Sequence, residues 1–292
     1  AALAAEPAPE PAAAPPVPDC PAEARSHTVF SLVLAGNRAG YHVECRMPDG
    51  SGLYLFAFND RGRGPAVRSR IVLDPAGVPS ELTVDGNDYL KNAIAERFAV
   101  SNGVASWKNK VEQGSHELAG PAFYLSQSGT PAELPMLARA AMAAPGHRIA
   151  LLPSGEARVE ALDARTVKNG DASRTVRLHV MTGLGYEPTA VWLDENGGFF
   201  AGIDSWVAIV PEGWEGVSAE LLKVQEARLT AIRAEQAARL APVPTVPILI
   251  EHANLFDAES RAMKPGSSVL IEGATIRAVG ADGSVAVPDG AT

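Results

Sequence analysis

Short apolar runs separated by turn residues dominate this sequence from residue 27 to about residue 210. Runs such as Thr28–Leu34 and Leu53–Phe58 are rich in the β-branched, aliphatic and aromatic residues that favour strands. Turn-forming groups such as Pro48-Asp49-Gly50 and Asn102-Gly103 stand between the runs. Strands at this spacing are typical of an antiparallel meander. We therefore predict a mainly β fold with few helices, in which residues 27–215 form one antiparallel domain with a curved sheet or half-barrel.

Two helices are predicted within this β pattern. The first covers Leu134–Ala144, where Pro135 is acceptable in the first turn and Pro145-Gly146 ends the helix. We expect the sheet to curve around it. The second begins at Ser218, a good N-cap residue, and runs to about Leu240. Prolines at every second or third position then follow, so residues 216–245 are predicted to be a helix and linker.

The N-terminal residues 1–26 are predicted to be a tether rich in proline and alanine. Its first residues, Ala2-Leu3-Ala4, look like the end of a secretory signal peptide, which predicts a periplasmic or secreted protein. A plain Ala/Pro-rich linker is the alternative interpretation. Cys20 and Cys45 can form a disulfide in an oxidising compartment, or remain two free thiols in the cytosol.

Composition excludes two broad classes of function. The chain has 292 residues, of which 46% are hydrophobic and 20% charged, as in globular proteins. A net charge of −9 argues against a nucleic-acid partner. No run of 18 apolar residues is present, so no membrane span is expected.

The C-terminal residues 246–292 carry a series of strand and turn segments. In chain order these are Ile248–Asp257, Ser268–Gly280 with a turn at Glu272-Gly273, and Val287–Thr292. The series resembles the N-terminal approach to the barrel in the amidohydrolase superfamily, the metal-dependent hydrolases of the imidazolonepropionase type.

That resemblance implies the N-terminal strands of an amidohydrolase β-sandwich, incomplete here, with the TIM barrel absent from this chain. The intact protein would be a secreted hydrolase of C–N bonds in amide or peptide-like substrates. It would use one or two divalent metal ions, typically zinc, to activate water. The family's metal ligands and catalytic residues lie on the barrel, so none is assigned to a residue of this chain and no cofactor is expected in it. The implied partner is a C-terminal amidohydrolase barrel in the same or a second chain, and a homo-oligomer stays open.

One loop, Asn59–Pro65, stands out as a candidate binding site. Arg61 and Arg63 lie among glycines in an otherwise acidic chain and can present guanidinium groups to an anion or a carboxylate. Alternatively the loop is a solvated strand connection in which Asp60 pairs with an arginine. No catalytic or metal-ligating motif is evident, because the six histidines are scattered and no nucleophile motif occurs.

Eight aromatic residues lie on or near the predicted strands, and they allow two interpretations. They are Trp107, Phe123, Tyr124, Trp192, Phe199, Phe200, Trp206 and Trp214. Such residues usually form a core, but in a strongly curved sheet they can also line an apolar groove. The groove supports a second hypothesis for function, which is a periplasmic half-barrel binding module for an apolar or peptide ligand.

Overall fold

The structure is a computed structural model that describes residues 13–241 and 244–292. The described residues up to Leu229 form one compact unit, and those from Thr230 onwards form another. Helix α2 (Ser218–Leu240) begins in the first unit and ends in the second. The signal-peptide interpretation of Ala2–Ala4 concerns residues outside the described part of the chain.

The first unit contains one sheet of fifteen strands. The strands are β1 (Ser26–Leu34), β2 (Asn37–Arg46), β3 (Gly52–Phe58), β4 (Ala66–Leu73), β5 (Pro79–Asn87), β6 (Ala93–Ser101), β7 (Val104–Lys108), β8 (Gln113–Glu117), β9 (Ala122–Tyr124), β10 (Arg148–Leu152), β11 (Glu156–Asn169), β12 (Ala172–Thr182), β13 (Thr189–Asp194), β14 (Phe199–Ile203) and β15 (Val207–Pro211). Their spatial order is β8 to β1, then β15 to β9. Neighbouring strands are antiparallel except β9 and β10, which are parallel. The prediction of a mainly β fold with a large antiparallel sheet is confirmed.

Turn residues explain why neighbouring strands pair in sequence order. At the β6–β7 hairpin, Ser101 pairs with Val104, so Asn102-Gly103 forms a two-residue loop. Both residues have positive φ, 52° and 76°. This is the type I′ geometry whose twist matches that of the flanking strands, and Asn-Gly is its preferred sequence.

Helix α1 (Glu133–Ala143) packs against the inner face of the curved sheet. Its Met136, Leu137 and Ala141 are buried in one core with inward-facing residues of the strands, such as Phe30 and Leu82. The helix ends because Ala144 adopts an extended conformation and Pro145 follows it. The core of this unit therefore lies between a helix and the concave side of the sheet.

The two ends of the sheet approach each other. Tyr124 on β9 stacks on Phe98 of β6, with ring centroids 4.5 Å apart, and its ring lies 6.2 Å from that of Trp107 on β7. Strands β6 and β7 belong to one end of the strand order, whereas β9 is at the other. The sheet thus curls strongly enough to bring its terminal strands into contact through side chains.

The N-terminal segment covers part of the outer face. A disulfide joins Cys20 to Cys45 of β2, with 5.8 Å between their Cα atoms, and Ala24 packs with them on Val43 and Leu53. The disulfide therefore attaches the proline-rich segment to β2 at Cys20. The disulfide is one of the two states that the sequence left open.

In the second unit, three strands form a separate antiparallel sheet. They are β16 (Ile248–Asp257), β17 (Ala262–Glu272) and β18 (Thr275–Ala281). The predicted Glu272-Gly273 turn lies one residue later, at Gly273-Ala274, because Glu272 still pairs with Thr275. A β-sandwich needs two sheets packed face to face, and the described residues of this unit form one. The expected amidohydrolase β-sandwich strands are therefore not shown.

A bulge in β16 is held by one aspartate. The register shifts between Ile250 and Ala253, where His252 has a φ of 56°. The Asp282 carboxylate lies 2.8 Å from Nδ1 of His252. It also accepts hydrogen bonds from the backbone N–H of His252 and from Oγ of Ser268. The aspartate lies between the serine and the histidine, so this group is a local backbone tie and lacks the order of a catalytic triad.

Neither helix of the described chain has the length and apolar character that crossing a membrane requires.

Candidate ligand cavity at the mouth of the curved sheet

A concave space remains open on the inner side of the sheet, beside the C-terminal half of α1. Its volume is about 570 Å³. Three elements of the first unit contribute its walls: α1, β12 and the β13–β14 hairpin. We call it the mouth cavity, and its lining includes Arg139, Met142, Thr175, Arg177, His179, Leu193, Asp194 and Glu195.

Arg139 connects two walls of the mouth cavity. Its Nη1 donates a hydrogen bond of 2.8 Å to the carbonyl oxygen of Gly197 in the β13–β14 turn. Asp194 fixes that turn by accepting the backbone N–H groups of Asn196 and Gly198 at 2.9 and 2.7 Å. Burial lowers the pKa of Arg139, whereas the charge of Glu44 acts in the opposite direction. The arginine is solvent-exposed yet crowded by protein atoms, as expected for a side chain in a cavity mouth.

Arg177 and His179 extend from the β12 wall. They lie opposite Leu193 and Val191 of β13, two residues that belong to the inner core. Nδ1 of His179 is 3.2 Å from the carbonyl oxygen of Arg177. Burial lowers the pKa of His179, so its ring is neutral at pH 7. Within residues 13–241 and 244–292, the Arg177 guanidinium forms no ion pair or hydrogen bond.

A row of side chains, polar except for Val84, crosses the inner face of β2 to β6. Glu44, Tyr54 and Ser69 are in register on β2, β3 and β4. Val84 and Glu96 continue the row on β5 and β6. Burial raises the pKa of Tyr54, and the Glu44 charge adds to the increase. Glu44 and Tyr54 also raise the pKa of Arg139 electrostatically. The row therefore interacts with helix α1, which lines the mouth cavity.

One buried carboxylate belongs to the first turn of α1, and a second interacts with it electrostatically. Glu133 accepts hydrogen bonds from Oγ and the backbone N–H of Ser126, at 2.6 and 2.8 Å, and from the backbone N–H of Thr130 at 3.3 Å. Burial raises its pKa to about 7. A Cβ atom at Gly129 would lie only 1.6 Å from Oε1 of Glu133, so any side chain at this position would displace the carboxylate. Glu96 is likewise buried and accepts a hydrogen bond of 2.6 Å from Tyr124.

The two arginines expected to bind an anion are engaged locally. Nε of Arg61 is 3.0 Å from Asp60 Oδ1, and Nη2 of Arg63 is 4.0 Å from Asp60 Oδ2. Arg63 also lies over the Tyr89 ring, 5.3 Å from its centroid. Hydrogen bonds from Arg61 and Tyr89 lower the pKa of Asp60. The loop therefore matches the second interpretation, a strand connection in which Asp60 pairs with a neighbouring arginine.

Seven of the eight aromatic residues are buried, and only Trp206 is exposed, at 46%. The seven buried residues form core, so they leave no exposed aromatic surface for the apolar groove that was the alternative interpretation. The described residues contain no group of three or more His, Cys, Asp or Glu side chains suited to a metal ion.

The residues of the mouth cavity were not identified from the sequence. One signal was available, because Glu133 and Arg139 are the only charged residues in an otherwise apolar helix. Charged residues within such a helix need partners in a folded protein. Arg177 gave no comparable signal, since exposed arginines are common on strands.

A second depression, of about 650 Å³, lies on the outer surface near Trp206 and Leu222. Each of its charged groups already has a partner. Arg38 forms a 2.7 Å ion pair with Glu212, Glu215 accepts a hydrogen bond from Ser31, and Asp204 accepts the backbone N–H groups of Trp206 and Val207. The mouth cavity has an unpaired cation and is therefore the stronger candidate.

The chain was compared with known proteins at three levels. No family model matches it, and no curated protein matches it. A similar solved structure is the crystal structure of a β-barrel-like protein of domain of unknown function DUF1849 from Brucella abortus. It has 11% sequence identity and a TM-score of 0.41, over 63% of this chain and 94% of that one.

These results correct the amidohydrolase interpretation of residues 246–292. No family model and no curated protein links the chain to that superfamily, and the solved structure reported above is a β-barrel-like protein. The identification as a metal-dependent hydrolase is therefore wrong. Its physical basis was weak, because an aliphatic strand, a glycine turn and an alternating strand occur in any antiparallel hairpin. The pattern predicts strands correctly at Ile248–Asp257 and Ser268–Gly280, but Val287–Thr292 is not a strand, and the pattern does not identify a family.

Proposed function

We propose that this chain is a ligand-binding module and that the mouth cavity holds its ligand. The observation that carries the proposal is the lining itself. Apolar side chains of Met142 and Leu193 lie beside an unpaired guanidinium, that of Arg177. Ligand sites are usually concave and apolar with a few well-placed polar groups. Core packing beneath Leu193 and the Arg139–Gly197 hydrogen bond fix the walls before any ligand arrives.

The structure favours an amphipathic ligand over a purely apolar one. The aromatic residues that would have formed an apolar groove are buried in the core. Charged groups occupy much of the cavity lining, and burying them against a purely apolar ligand would be unfavourable. A short peptide or a fatty chain with a polar head satisfies both kinds of lining.

The proposal can be tested by NMR on protein with ¹³C-labelled methionine methyl groups. Met142 lines the cavity, whereas Met47 packs on the outer face and serves as an internal control. The probes are octanoate, octanamide, N-acetyl-Ala-Leu and its C-terminal amide. We expect at least one probe to shift the Met142 signal saturably at millimolar concentration, with Met47 unchanged. If no probe shifts Met142, or if both signals move together, the cavity is not the binding site.

We further propose that the protein works in an oxidising compartment, such as the periplasm or the outside of the cell. The Cys20–Cys45 bond supports this, because disulfides persist mainly in such compartments. Alkylation of thiols during extraction from the native source should leave both cysteines unmodified. Two alkylated cysteines would contradict the proposal.

A further inference from the structure

We infer that the mouth cavity selects ligands with a single carboxylate, which the guanidinium groups of Arg177 and Arg139 hold. The inference rests on the proposed binding function and adds the chemical class of the ligand.

Arg177 is the first cation of this site. Arg177 lines the cavity, and its guanidinium forms no ion pair or hydrogen bond with the described residues. A guanidinium has five N–H donors in a planar fork that matches the two oxygens of a carboxylate. His179 is adjacent and neutral, so it does not compete with Arg177 for an anion.

Arg139 is the second cation, and the fold holds it in place. It uses one N–H for the carbonyl oxygen of Gly197 at 2.8 Å, which leaves further donors of its fork for a ligand. Its position at the junction of α1 and the β13–β14 turn places it in the same cavity lining as Arg177. Its charge also interacts with Arg46 of β2. Arg46 is exposed, and among the described residues its side chain has no ion pair.

The acidic residues of the lining limit the charge that the site accepts. Asp194 uses Oδ1 to hold the backbone N–H groups of Asn196 and Gly198. Glu195 is exposed at the edge of the cavity. These two negative charges repel a dense anion such as inorganic phosphate. A monocarboxylate with an apolar body fits the cations and also the Met142 and Leu193 surface.

The test compares each acid with its neutral amide. The two pairs are octanoate with octanamide, and N-acetyl-Ala-Leu with its C-terminal amide. At pH 7.5 and low salt, we expect the acid of at least one pair to bind at Met142 roughly tenfold more tightly than its amide. The preference should fall as salt is added. The pair that shows the larger preference indicates whether a fatty chain or a peptide C-terminus is the better source of the carboxylate.

A matched pair of variants assigns the effect to Arg177. Arg177→Gln should remove the preference for the acid, whereas Arg158→Gln should leave it unchanged. Arg158 is an exposed arginine that alternates along β11 with the buried core residues Ala157 and Val159, so it lies on the other face of the sheet. Both variants should unfold at the wild-type urea concentration, which shows that the fold is intact.

The outcomes separate the two proposals. Acid and amide that bind Met142 equally would overturn the carboxylate assignment and leave the binding module standing. An acid preference that survives Arg177→Gln would also overturn the assignment to this guanidinium. Inorganic phosphate that displaces the acid at equal concentration would contradict the selection for a single carboxylate. If all four probes fail to bind at Met142, the proposed function itself fails.

Discussion

The hydroxyl of Tyr124 donates a hydrogen bond of 2.6 Å to Oε1 of Glu96, and both side chains are buried. Tyr124 lies on β9, at one end of the strand order, and Glu96 lies on β6, the third strand from the other end. This contact therefore joins the two ends of a sheet that has no backbone hydrogen bonds between them. Burial and the hydrogen bond to Glu96 raise the pKa of Tyr124, so the hydroxyl keeps its proton and donates.

Tyr124→Phe should lower the free energy of unfolding by about 2 kcal/mol, because it removes a hydrogen bond to a buried carboxylate. The ring stacks on Phe98 with centroids 4.5 Å apart, and phenylalanine keeps this contact. Urea unfolding measures the loss. Tyr186→Phe is the control, since Tyr186 is fully exposed. Equal stability of the two variants would show that the contact does not hold the ends of the sheet together.

Glu133 should give the protein a pH-dependent stability. Burial raises its pKa to about 7 from an ordinary value of 4.5. Between these pH values the folded protein holds a proton that the unfolded chain has released. The free energy of unfolding should therefore fall by roughly 3 kcal/mol as pH rises from about 4.5 to about 7, and this contribution stays constant at higher pH.

The measurement is urea unfolding of wild type and Glu133→Gln at pH 5, 6, 7 and 8. Other groups titrate in both proteins, so the difference between them isolates Glu133. We expect the wild type to lose more stability than the variant from pH 5 to pH 7. Parallel pH profiles would mean that Glu133 is ionised throughout this range.

The disulfide between Cys20 and Cys45 closes a loop with a sequence separation of 25. Replacing both cysteines with alanine should lower the free energy of unfolding by roughly 3 kcal/mol, mainly because the unfolded chain gains conformational freedom. Thermal unfolding with and without a reductant provides the measurement. Reductant should lower the melting temperature of the wild type and leave that of the double variant unchanged. A wild type insensitive to complete reduction would contradict this account.

Gln225 of α2 connects the helix to the outer face of the sheet. Its Oε1 accepts a hydrogen bond of 3.2 Å from Trp192 Nε1, and its Nε2 donates one of 2.7 Å to the carbonyl oxygen of Ile203. Gln225→Leu keeps the volume but leaves two buried polar groups without partners. The variant should lose about 3 kcal/mol in urea unfolding. Lys223→Leu, on the exposed side of the same helix, should lose less than about 0.5 kcal/mol.

The sequence alone determined the local elements of this protein. Asn102-Gly103 marked a hairpin, and Leu134–Ala144 marked a helix observed at Glu133–Ala143. These features are set by φ preferences, side-chain period and proline, which act within a few residues. The same local patterns also led to the wrong family for residues 246–292, because a hairpin pattern carries no information about what its strands pack against.

Only the tertiary structure decided how the elements meet. Strand β9 was not predicted, since it has three residues and pairs in parallel with β10 across the α1 crossover. The contact of Tyr124 with Glu96 spans 28 residues, and that of Arg139 with Gly197 spans 58. Contacts at such separation depend on the curvature of the whole sheet and on the helix inside it. No local pattern encodes that curvature, so the mouth cavity and its arginines became visible only in the folded chain.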